Sequence, residues 1–265
     1  MYKNIIEIID LSYKDIFNNF SLAIEEGKFI SLVGPNNCGK TTLLRILDRQ
    51  IEVKNSIVLD DSKLEDYKVT ELPRLIKTII PKEIIFINNT VEEELKFSLE
   101  QTYIPKENKS EIYKEIIKSL KLNKILDKEL RCLTDDEIVK LQVAISLLIR
   151  PKVLLIDDIG KYLTKTEVNE IIKIIRDYQK KEKITIIMVT SNLSDTLLTD
   201  YIYVIDESNI LIEGEPIEVI QKDNVMNKAG LNLPFMIDLS VKLRDYDLVK
   251  EIEQDKERMV ELLWK

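Results

Sequence analysis

Short apolar runs bounded by polar residues recur along the chain and predict buried strands. One opens the segment FISLVGPNNCGKTTLLRI at 29–46, and the others are VLLIDD at 153–158 and ITIIMVT at 184–190. Strands that are covered on both faces have this continuous apolar composition. A helix-like stretch from Thr166 to Lys181 separates the last two runs. Helices between such strands predict an α/β fold with a largely parallel sheet.

A different pattern fills much of the segment between the first and second of these strands. Apolar residues at 112, 116, 117 and 120, and again at 139, 143 and 147, keep the 3.6-residue spacing of helices. This spacing predicts a helical insert over about 91–149. After residue 190 the sequence predicts a short helix and then two strands in YIYVIDESNILIEG, with a turn at Ser208–Asn209. The segment from Ala229 onward is predicted to be a helical tail.

The loop after the first strand carries the candidate chemistry. Its residues Gly34, Gly39, Lys40 and Thr41 fit the pattern G-x-x-x-x-G-K-[ST]. A strand, such a loop and a helix start form a phosphate cradle, because backbone N–H groups and the helix N-terminus face the anion. In this pattern the lysine reaches the β- and γ-phosphates and the threonine hydroxyl binds Mg²⁺. The sequence therefore predicts binding of a nucleoside triphosphate, and the flanking strand and helix disfavour a chance Gly-Lys turn.

The run VLLIDD ends in carboxylates, which places Asp157 at the carboxyl end of a predicted strand. Open α/β sheets bind their ligands at this edge. In proteins with this phosphate-binding loop, an aspartate there orients Mg²⁺. The other interpretation is an acidic strand end that faces solvent, and the loop upstream favours the metal-binding role.

The composition narrows the possible functions. With 265 residues and 45% hydrophobic content, the chain can bury a full core. The net charge of −8 and the absence of a Lys/Arg block argue against a nucleic-acid partner. The N-terminus has no signal-peptide pattern, and no apolar run approaches the roughly 20 residues that span a bilayer. Cys38 and Cys132 are not in a C-x-x-C arrangement, which favours reduced thiols in the cytosol.

The order of these elements resembles that of an ABC-type ATPase subunit over the whole chain. The residues that carry the resemblance are Tyr13, GPNNCGKTT at 34–42, LTDDEIVK at 133–140, LLIDD at 154–158 and IIMVTSN at 186–192. The segments TVEEELKFS at 90–98 and AGLNLPFMIDLSVKLRD at 229–245 look like the ATPases of energy-coupling factor (ECF) importers for vitamins and metals.

The resemblance implies a fold, cofactors and partners. The fold is an α/β P-loop NTPase (RecA-like) core with a mixed or parallel sheet. A nucleotide-binding domain would cover 1–228, with a helical subdomain inserted at about 91–149, and a small C-terminal helical extension would cover 229–265. Mg²⁺ and ATP would lie between the P-loop of one subunit and the signature motif of another. The implied partners are a second, competent ABC-type ATPase subunit and a transmembrane scaffold protein, in a cytoplasmic complex on the inner face of the cell membrane.

By the same resemblance, a set of residues in and near the loop would bind the nucleotide: Tyr13, Gly34, Asn36, Asn37, Cys38, Gly39, Lys40, Thr41 and Thr42. Thr41 and Asp157 would hold the metal. Tyr13 would stack on the adenine, or else it is only a boundary tyrosine on a strand. Asn37 stands where the family has glycine, and asparagine tolerates a positive φ better than most side chains.

The signature motif departs from the family pattern. The family has LSGGQ, whereas this chain has LTDDE at 133–137, so both glycines have become carboxylates. A carboxylate close to a phosphate charge costs about 1 kcal/mol in water and about 4 kcal/mol near an interface. Thr134 and Glu137 also fit a capping box, with acids in the first helical turn. Both interpretations predict a helix N-terminus that no longer needs an external anion.

Other departures affect catalysis. Asp158 stands where the family has the glutamate that polarises the attacking water, and Ser191 stands where it has the switch histidine; the chain has no histidine. Aspartate is one methylene shorter, so its oxygens retreat by about 1.5 Å, and general-base catalysis is worth about 10²–10⁴-fold. Thr164 replaces the D-loop aspartate, and a loose alignment places Ile80 at the Q-loop glutamine. The sequence therefore predicts impaired hydrolysis, with Asp158 and Ser191 at the degenerate catalytic positions.

Three functional hypotheses remain open at this stage. The first is a degenerate ATP-binding subunit of an ECF-type importer, and the second is a fully active ECF ATPase whose motifs have drifted. The third is a soluble, nucleotide-gated regulatory protein of the ABC type. The transported molecule is not expected to be encoded here, because in ECF systems a separate membrane subunit selects it.

Two segments are candidates for contacts with partners. Residues near Pro81–Val91, in IIPKEIIFINNTV, would line a groove for the scaffold, although Phe86 and its isoleucine neighbours are expected in the core instead. The tail from Leu231 to Trp264 would pack against a partner's tail or close the chain's own core.

Overall fold

The computed structural model describes residues 3–81, 83 and 85–264. Its strands are β1 Asn4–Tyr13, β2 Phe17–Glu25, β3 Phe29–Val33, β4 Ile57–Leu59, β5 Ser62–Lys63, β6 Ile76–Ile79, β7 Val153–Asp157, β8 Thr185–Val189, β9 Tyr201–Asp206 and β10 Asn209–Gly214. Its α-helices are α1 Lys40–Leu47, α2 Leu72–Leu75, α3 Val91–Glu100, α4 Lys106–Ser119, α5 Asp135–Ile149, α6 Lys165–Glu182, α7 Leu193–Thr196, α8 Pro216–Ile220, α9 Asp223–Lys228, α10 Phe235–Asp245 and α11 Lys256–Leu263. Lys82 and Ile84, from the predicted groove segment, and Lys265, from the predicted tail, lie outside the described residues.

The larger sheet confirms the predicted α/β architecture. Its six strands run in the order β10-β9-β3-β8-β7-β6, and the five from β9 to β6 are parallel. Strand β3 lies inside the sheet, with Phe29 beside Ile186 of β8 and Ile30 beside Tyr201 of β9. Every residue of β3 and β8 is buried. This order brings the carboxyl ends of β3, β8 and β7 to one edge of the sheet.

A second, antiparallel sheet has the strand order β2-β1-β4-β5 and was not predicted from the sequence. Phe17, Phe20, Leu22 and Ile24 of β2 are buried, and the residues between them are largely exposed. The buried face shares an apolar cluster with the leucines of α1. This sheet therefore packs beside the helix that follows the phosphate-binding loop.

Helices α3, α4 and α5 occupy the segment that the sequence predicts to be a helical insert. The first of them begins at Val91 because Thr90 caps it: Glu93 N donates to Thr90 Oγ1 at 3.3 Å, and Thr90 N donates to Glu93 Oε2 at 3.1 Å. The apolar faces of these helices form one buried cluster with α6 and with β7 and β8. The division of the chain into two domains stays a prediction.

The hairpin of β9 and β10 turns one residue earlier than predicted. Glu207 and Ser208 have φ angles of 42° and 67°, and Asn209 already pairs with Asp206. Two-residue hairpin loops adopt this positive-φ geometry because it matches the twist of the strands. Ser208 also donates a hydrogen bond from its Oγ to the carbonyl oxygen of Ile16 at 2.9 Å, which joins the hairpin to the turn between β1 and β2.

The two helices of the tail differ in environment. Ile237 and Val241 of α10 are buried in the apolar cluster that also contains Ile202 and Val204 of β9. This packing agrees with the interpretation in which the tail closes the chain's own core. After α11, by contrast, Trp264 is 84% exposed.

The residues before α3 correct one expectation. Phe86 packs against the large helical cluster, but Ile85 and Ile87 are 89% and 71% exposed. The backbone N–H groups of Ile87 and Asn88 donate to Glu94 Oε2 at 3.1 Å and 3.0 Å. Phe86 thus contacts the core while the isoleucines on either side of it face solvent. The expected core position is therefore wrong for Ile85 and Ile87.

Candidate nucleotide-binding site

The phosphate-binding loop runs from the end of β3 to Lys40, the first residue of α1. Its two glycines are required by the backbone. A Cβ at Gly34 would overlap the carbonyl oxygen of Ile205, and Gly39 has a φ of 99°, where a side chain would be strained. Asn37 adopts a φ of 66°, in agreement with the expectation for the asparagine that replaces a family glycine. The loop thus keeps its tight path although that glycine is missing.

The Lys40 side chain folds back into this loop. Its Nζ donates to the carbonyl oxygens of Gly34 at 2.8 Å and Pro35 at 2.5 Å, and it lies 3.5 Å from Cys38 Sγ. Lys40 is 9% exposed. Because these carbonyl partners are neutral, they do not compete as counter-ions with an anion that enters the loop.

The two metal candidates are in contact. Thr41 Oγ1 donates a hydrogen bond to Asp157 Oδ2 at 2.8 Å, which joins the first turn of α1 to the end of β7. Burial raises the pKa of the Asp157 carboxyl, and the hydrogen bond from Thr41 opposes that shift. Hydroxyl and carboxylate oxygens are the ligand types that Mg²⁺ takes. The donor set therefore fits this ion, and Thr41 and Asp157 would hold it.

Asp158 and Ser191, which the sequence predicts to stand at degenerate catalytic positions, are also in contact. Asp158 has a φ of 41°, and its N–H donates to the carbonyl oxygen of Val189 at 3.0 Å. Its Oδ2 accepts a hydrogen bond from Ser191 Oγ at 3.1 Å and lies 2.8 Å from Lys161 Nζ. The carboxylate is therefore held by a hydroxyl and an ammonium. A general base at this position would have to release the lysine first.

Most of these groups line one cavity of about 620 Å³. The lining residues are Ile16, Asn36, Asn37, Gly39, Lys40, Thr41, Thr42, Asp157, Asp158, Lys161, Val189 and Ser191. Gly34 and Cys38 belong to the loop, where a Cβ at Gly34 would lie 3.0 Å from Cys38 Sγ. Tyr13 ends β1, and Lys14 Nζ lies 5.1 Å from its ring centroid. Its stacking on a base stays a prediction.

Sequence reasoning missed three residues of the cavity, Ile16, Lys161 and Val189. The two apolar residues carry no local signal, because aliphatic side chains of this type occur throughout the core. Lys161 had one available signal, since it follows the strand-end carboxylate Asp158 by three positions. A further missed contact lies outside the cavity, where Gln142 Nε2 donates to the carbonyl oxygen of Ile80 at 3.1 Å.

The segment LTDDE, predicted to be the signature motif, leads into α5, and its carboxylates have local partners. Thr134 donates from its N–H to Glu137 Oε2 at 2.9 Å and from its Oγ1 to Asp136 Oδ1 at 2.6 Å. Lys140 Nζ lies 3.0 Å from Asp136 Oδ2 and 2.7 Å from Glu167 Oε1 of α6. The hydrogen bond from Thr134 lowers the pKa of Asp136; burial opposes this effect and Lys140 reinforces it. The carboxylates of Asp136 and Glu137 therefore have hydrogen-bond partners within the chain.

The comparison with protein families agrees with this geometry. A family model described as "ABC transporter" matches residues 17–159, which is more than half of the chain. The chain belongs to the ABC transporter family. The match includes the phosphate-binding loop, the signature region and both carboxylates at the end of β7.

Individual relatives of this ABC transporter family member match it over most of its length at a sequence identity of 27%. The chain is 27% identical over 241 residues to the energy-coupling factor transporter ATP-binding protein EcfA1 of Mycoplasma mobile, covering 90% of this chain and 87% of the relative. It is also 27% identical over 240 residues to EcfA1 of Ligilactobacillus salivarius, covering 88% and 85%.

Solved structures support the fold. CbiO1 from Clostridium perfringens, described as part of the ABC transporter complex cbiONQ, superposes with a TM-score of 0.73 at 22% identity, over 91% of this chain and 99% of that one. The ATP-binding cassette MJ0796, a dimer bound to ADP and Pi, gives a TM-score of 0.69 at 17% identity, over 80% and 98%. Among the described residues of the present family member, no helix combines the length and apolar character needed to cross a membrane.

Proposed function

We propose that this chain is the ATP-binding subunit of an ECF-type importer, which binds Mg-ATP through its P-loop and hydrolyses it slowly. The observation that carries the proposal is the contact between Thr41 Oγ1 and Asp157 Oδ2 at 2.8 Å, in a cavity that Lys40 also lines. The cavity is thus lined by two oxygen ligands suited to a divalent cation and by a lysine suited to a polyphosphate.

Different residues of the chain would bind the phosphates, the Mg²⁺ and the adenine. Lys40 would exchange its bonds to the loop carbonyls for bonds to phosphate oxygens, and Thr41 and Asp157 would hold Mg²⁺, which supplies charge neutralisation when bound. The loop N–H groups between Gly34 and Thr41 would face the phosphates. Tyr13 would stack on the adenine, since base–aromatic stacking tolerates any base.

Slow hydrolysis follows from the groups around Asp158. Its side chain is one methylene shorter than that of glutamate. Its carboxylate accepts a hydrogen bond from Ser191 Oγ at 3.1 Å. Ser191 is not a strong base or acid near neutral pH, and the chain has no histidine that could replace it. Because positioned acid–base groups contribute about 10²–10⁴-fold, their loss removes a large share of the rate.

The relatives suggest the partners. CbiO1 is described as part of a complex named cbiONQ, and the curated relatives are named as subunits of energy-coupling factor transporters. We therefore propose a second, competent ABC-type ATPase subunit and a transmembrane scaffold as partners, on the inner face of the cell membrane, with residues 229–265 as a helical extension. Co-purification with a multi-helix membrane protein would support this assembly. A soluble homodimer without membrane partners would instead favour the regulatory hypothesis.

The decisive experiment combines calorimetry with phosphate release on the purified chain. We expect calorimetry to detect Mg-ATP binding at a single site, and steady-state turnover to stay below the usual enzyme range of about 1–10³ s⁻¹. Chelation of Mg²⁺ should weaken binding, because Thr41 and Asp157 would lose the ion that they hold. Turnover within the usual range would contradict slow hydrolysis, and absence of binding would contradict the nucleotide site.

Mg-ATP should also slow the alkylation of Cys38. This thiol is partly exposed in the phosphate-binding loop, 3.5 Å from Lys40 Nζ, and a bound nucleotide would cover the loop. Cys132 is exposed outside the cavity and provides an internal control within the same molecule. Mass spectrometry after timed treatment with a maleimide should show protection of Cys38 alone. Equal labelling of Cys38 with and without saturating Mg-ATP would contradict the placement of the nucleotide.

A further inference from the structure

Lys161 is a cation in the nucleotide cavity to which the proposed function assigns no role. It lies in the short turn that follows β7. Its Nζ lies 2.8 Å from Asp158 Oδ2, and its side chain is 63% exposed whereas that of Asp158 is only 11% exposed. The ion pair thus joins a nearly buried carboxylate to an ammonium on a solvent-exposed stem.

The carboxylate side of this pair is held in place independently of Lys161. Asp158 N–H donates to the Val189 carbonyl oxygen at 3.0 Å, and Ser191 Oγ donates to the Asp158 carboxylate at 3.1 Å. Breaking the ion pair therefore leaves Asp158 with a hydrogen-bond donor in its present position. The lysine is the member that is free to move.

The position of Lys161 in the cavity favours a contact with the terminal phosphate of a bound nucleotide. Lys40 lines the cavity on the side of the loop, and the Thr41–Asp157 contact lies at the junction of α1 and β7. Asp158 follows Asp157 directly in the chain, Lys161 comes three positions after Asp158, and both line the same cavity. In this motif the metal pair lies at the β- and γ-phosphates. Because Lys161 lines the same cavity as that pair and contacts the residue next to Asp157, we expect it on the phosphate side of the site and not at the base or sugar.

We propose that Lys161 is a specificity-determining residue for the triphosphate: its ammonium exchanges the Asp158 carboxylate for the terminal phosphate, so that ATP binds in preference to ADP. This inference rests on the proposed binding of ATP at this site. Both partners of the exchange are anions, so the lysine remains paired before and after it. The nearby carboxylates also raise the pKa of Lys161, with the hydrogen bond to Asp158 as the main cause, and this keeps it protonated.

The same exchange explains how the site tolerates Asp158. A carboxylate beside the terminal phosphate would repel it, because like charges that lie close together weaken binding. The positive charge of Lys161 offsets this repulsion whether the ammonium contacts the carboxylate or, after the exchange, the phosphate. Without the lysine, the site would present an uncompensated negative charge to ATP, whereas the shorter ADP would be affected less.

The test is calorimetric titration of the purified chain with Mg-ATP and Mg-ADP, using four variants. In Lys161→Gln we expect ATP affinity to fall about tenfold and ADP affinity to stay within about twofold; tenfold in Kd corresponds to about 1.4 kcal/mol, the scale of one charge-assisted hydrogen bond. Lys161→Arg keeps the charge and should retain the preference for ATP. Lys173→Gln removes an exposed lysine of α6 outside the cavity and serves as the matched control.

Asp158→Asn separates a specificity role from a merely structural one. If Lys161 acts on the phosphate, this variant frees the lysine and removes a negative charge, so ATP should bind at least as tightly as it does to the wild type. If Lys161 only positions Asp158, this variant should weaken binding as Lys161→Gln does, which would overturn the inference. Equal loss of ATP and ADP affinity in Lys161→Gln, or no loss, would overturn it as well. A wild-type chain that binds neither nucleotide would contradict the proposed function itself.

Discussion

Replacing Lys40 with alanine should lower the affinity for Mg-ATP by at least about 100-fold. The ammonium lies inside the loop, held at 2.8 Å and 2.5 Å by the carbonyl oxygens of Gly34 and Pro35. On binding, it would exchange these neutral acceptors for phosphate oxygens, and hydrogen bonds between charged groups are worth about 1.5–3 kcal/mol each. Two such bonds amount to about 3–6 kcal/mol, and about 1.4 kcal/mol corresponds to tenfold in Kd.

Calorimetry measures this loss directly, and thermal unfolding gives a second readout. A ligand at 100 times its Kd stabilises the folded state by about 2.7 kcal/mol, so the wild type should melt at a higher temperature with Mg-ATP and Lys40→Ala should not. Lys173→Ala, on the exposed face of α6, should behave as the wild type. Melting curves without nucleotide establish that the Lys40 variant is folded. An affinity within about threefold of the wild type would contradict the assignment of the loop, since it is far smaller than the loss of even one such bond.

The parts of the site that were predicted from the sequence are those that depend on neighbours in the chain. The phosphate-binding loop needs glycines at fixed positions, and Gly39 indeed has a φ of 99°. The capping box at the start of α5 was predicted for the same reason, and Thr134 N donates to Glu137 Oε2 at 2.9 Å. Asp157 was placed because a strand with apolar residues on both faces must end where its polar residues begin.

The features that escaped prediction depend on contacts between distant residues. The antiparallel sheet pairs Ile6 of β1 with Leu59 of β4, and no local spacing encodes that register. The salt bridge between Lys140 and Glu167 joins α5 to α6 at 2.7 Å, although each residue alone looks like an ordinary surface charge. Ile85 was expected in the core because isoleucine usually is, but Phe86 beside it contacts the core instead.

Binding and cleavage depend on different residues in this chain. The groups proposed for binding, such as Lys40 and Thr41, come from the loop and the first turn of α1. The groups expected for cleavage, Asp158 and Ser191, come from the ends of β7 and β8, and they are tied to each other and to Lys161. Substitutions at the second set can therefore accumulate while the loop keeps its shape. This separation would allow the chain to keep the proposed ATP binding while the proposed hydrolysis is slow.

A methyl group at Gly34 should destabilise the whole fold and not only the site. The Cβ of Gly34→Ala would overlap the carbonyl oxygen of Ile205, and Ile205 lies within β9, paired with Ile210 of β10. Since that carbonyl cannot move without disturbing the sheet, we expect the free energy of unfolding to fall by about 3 kcal/mol, the upper range for overpacking. The midpoint of thermal unfolding should drop by roughly 6–12 °C, at about 2–4 °C per kcal/mol for a chain of this size.

Gly160→Ala is the matched control for this prediction. Its Cβ would lie 3.6 Å from Asp195 Oδ2, an ordinary contact distance. Both substitutions reduce the conformational entropy of the unfolded chain in the same way, so the difference between them isolates the overlap with Ile205. We expect Gly160→Ala to change the unfolding free energy by less than about 1 kcal/mol. If the two variants unfold at the same denaturant concentration, the close approach of Gly34 to β9 is not a constraint on the fold.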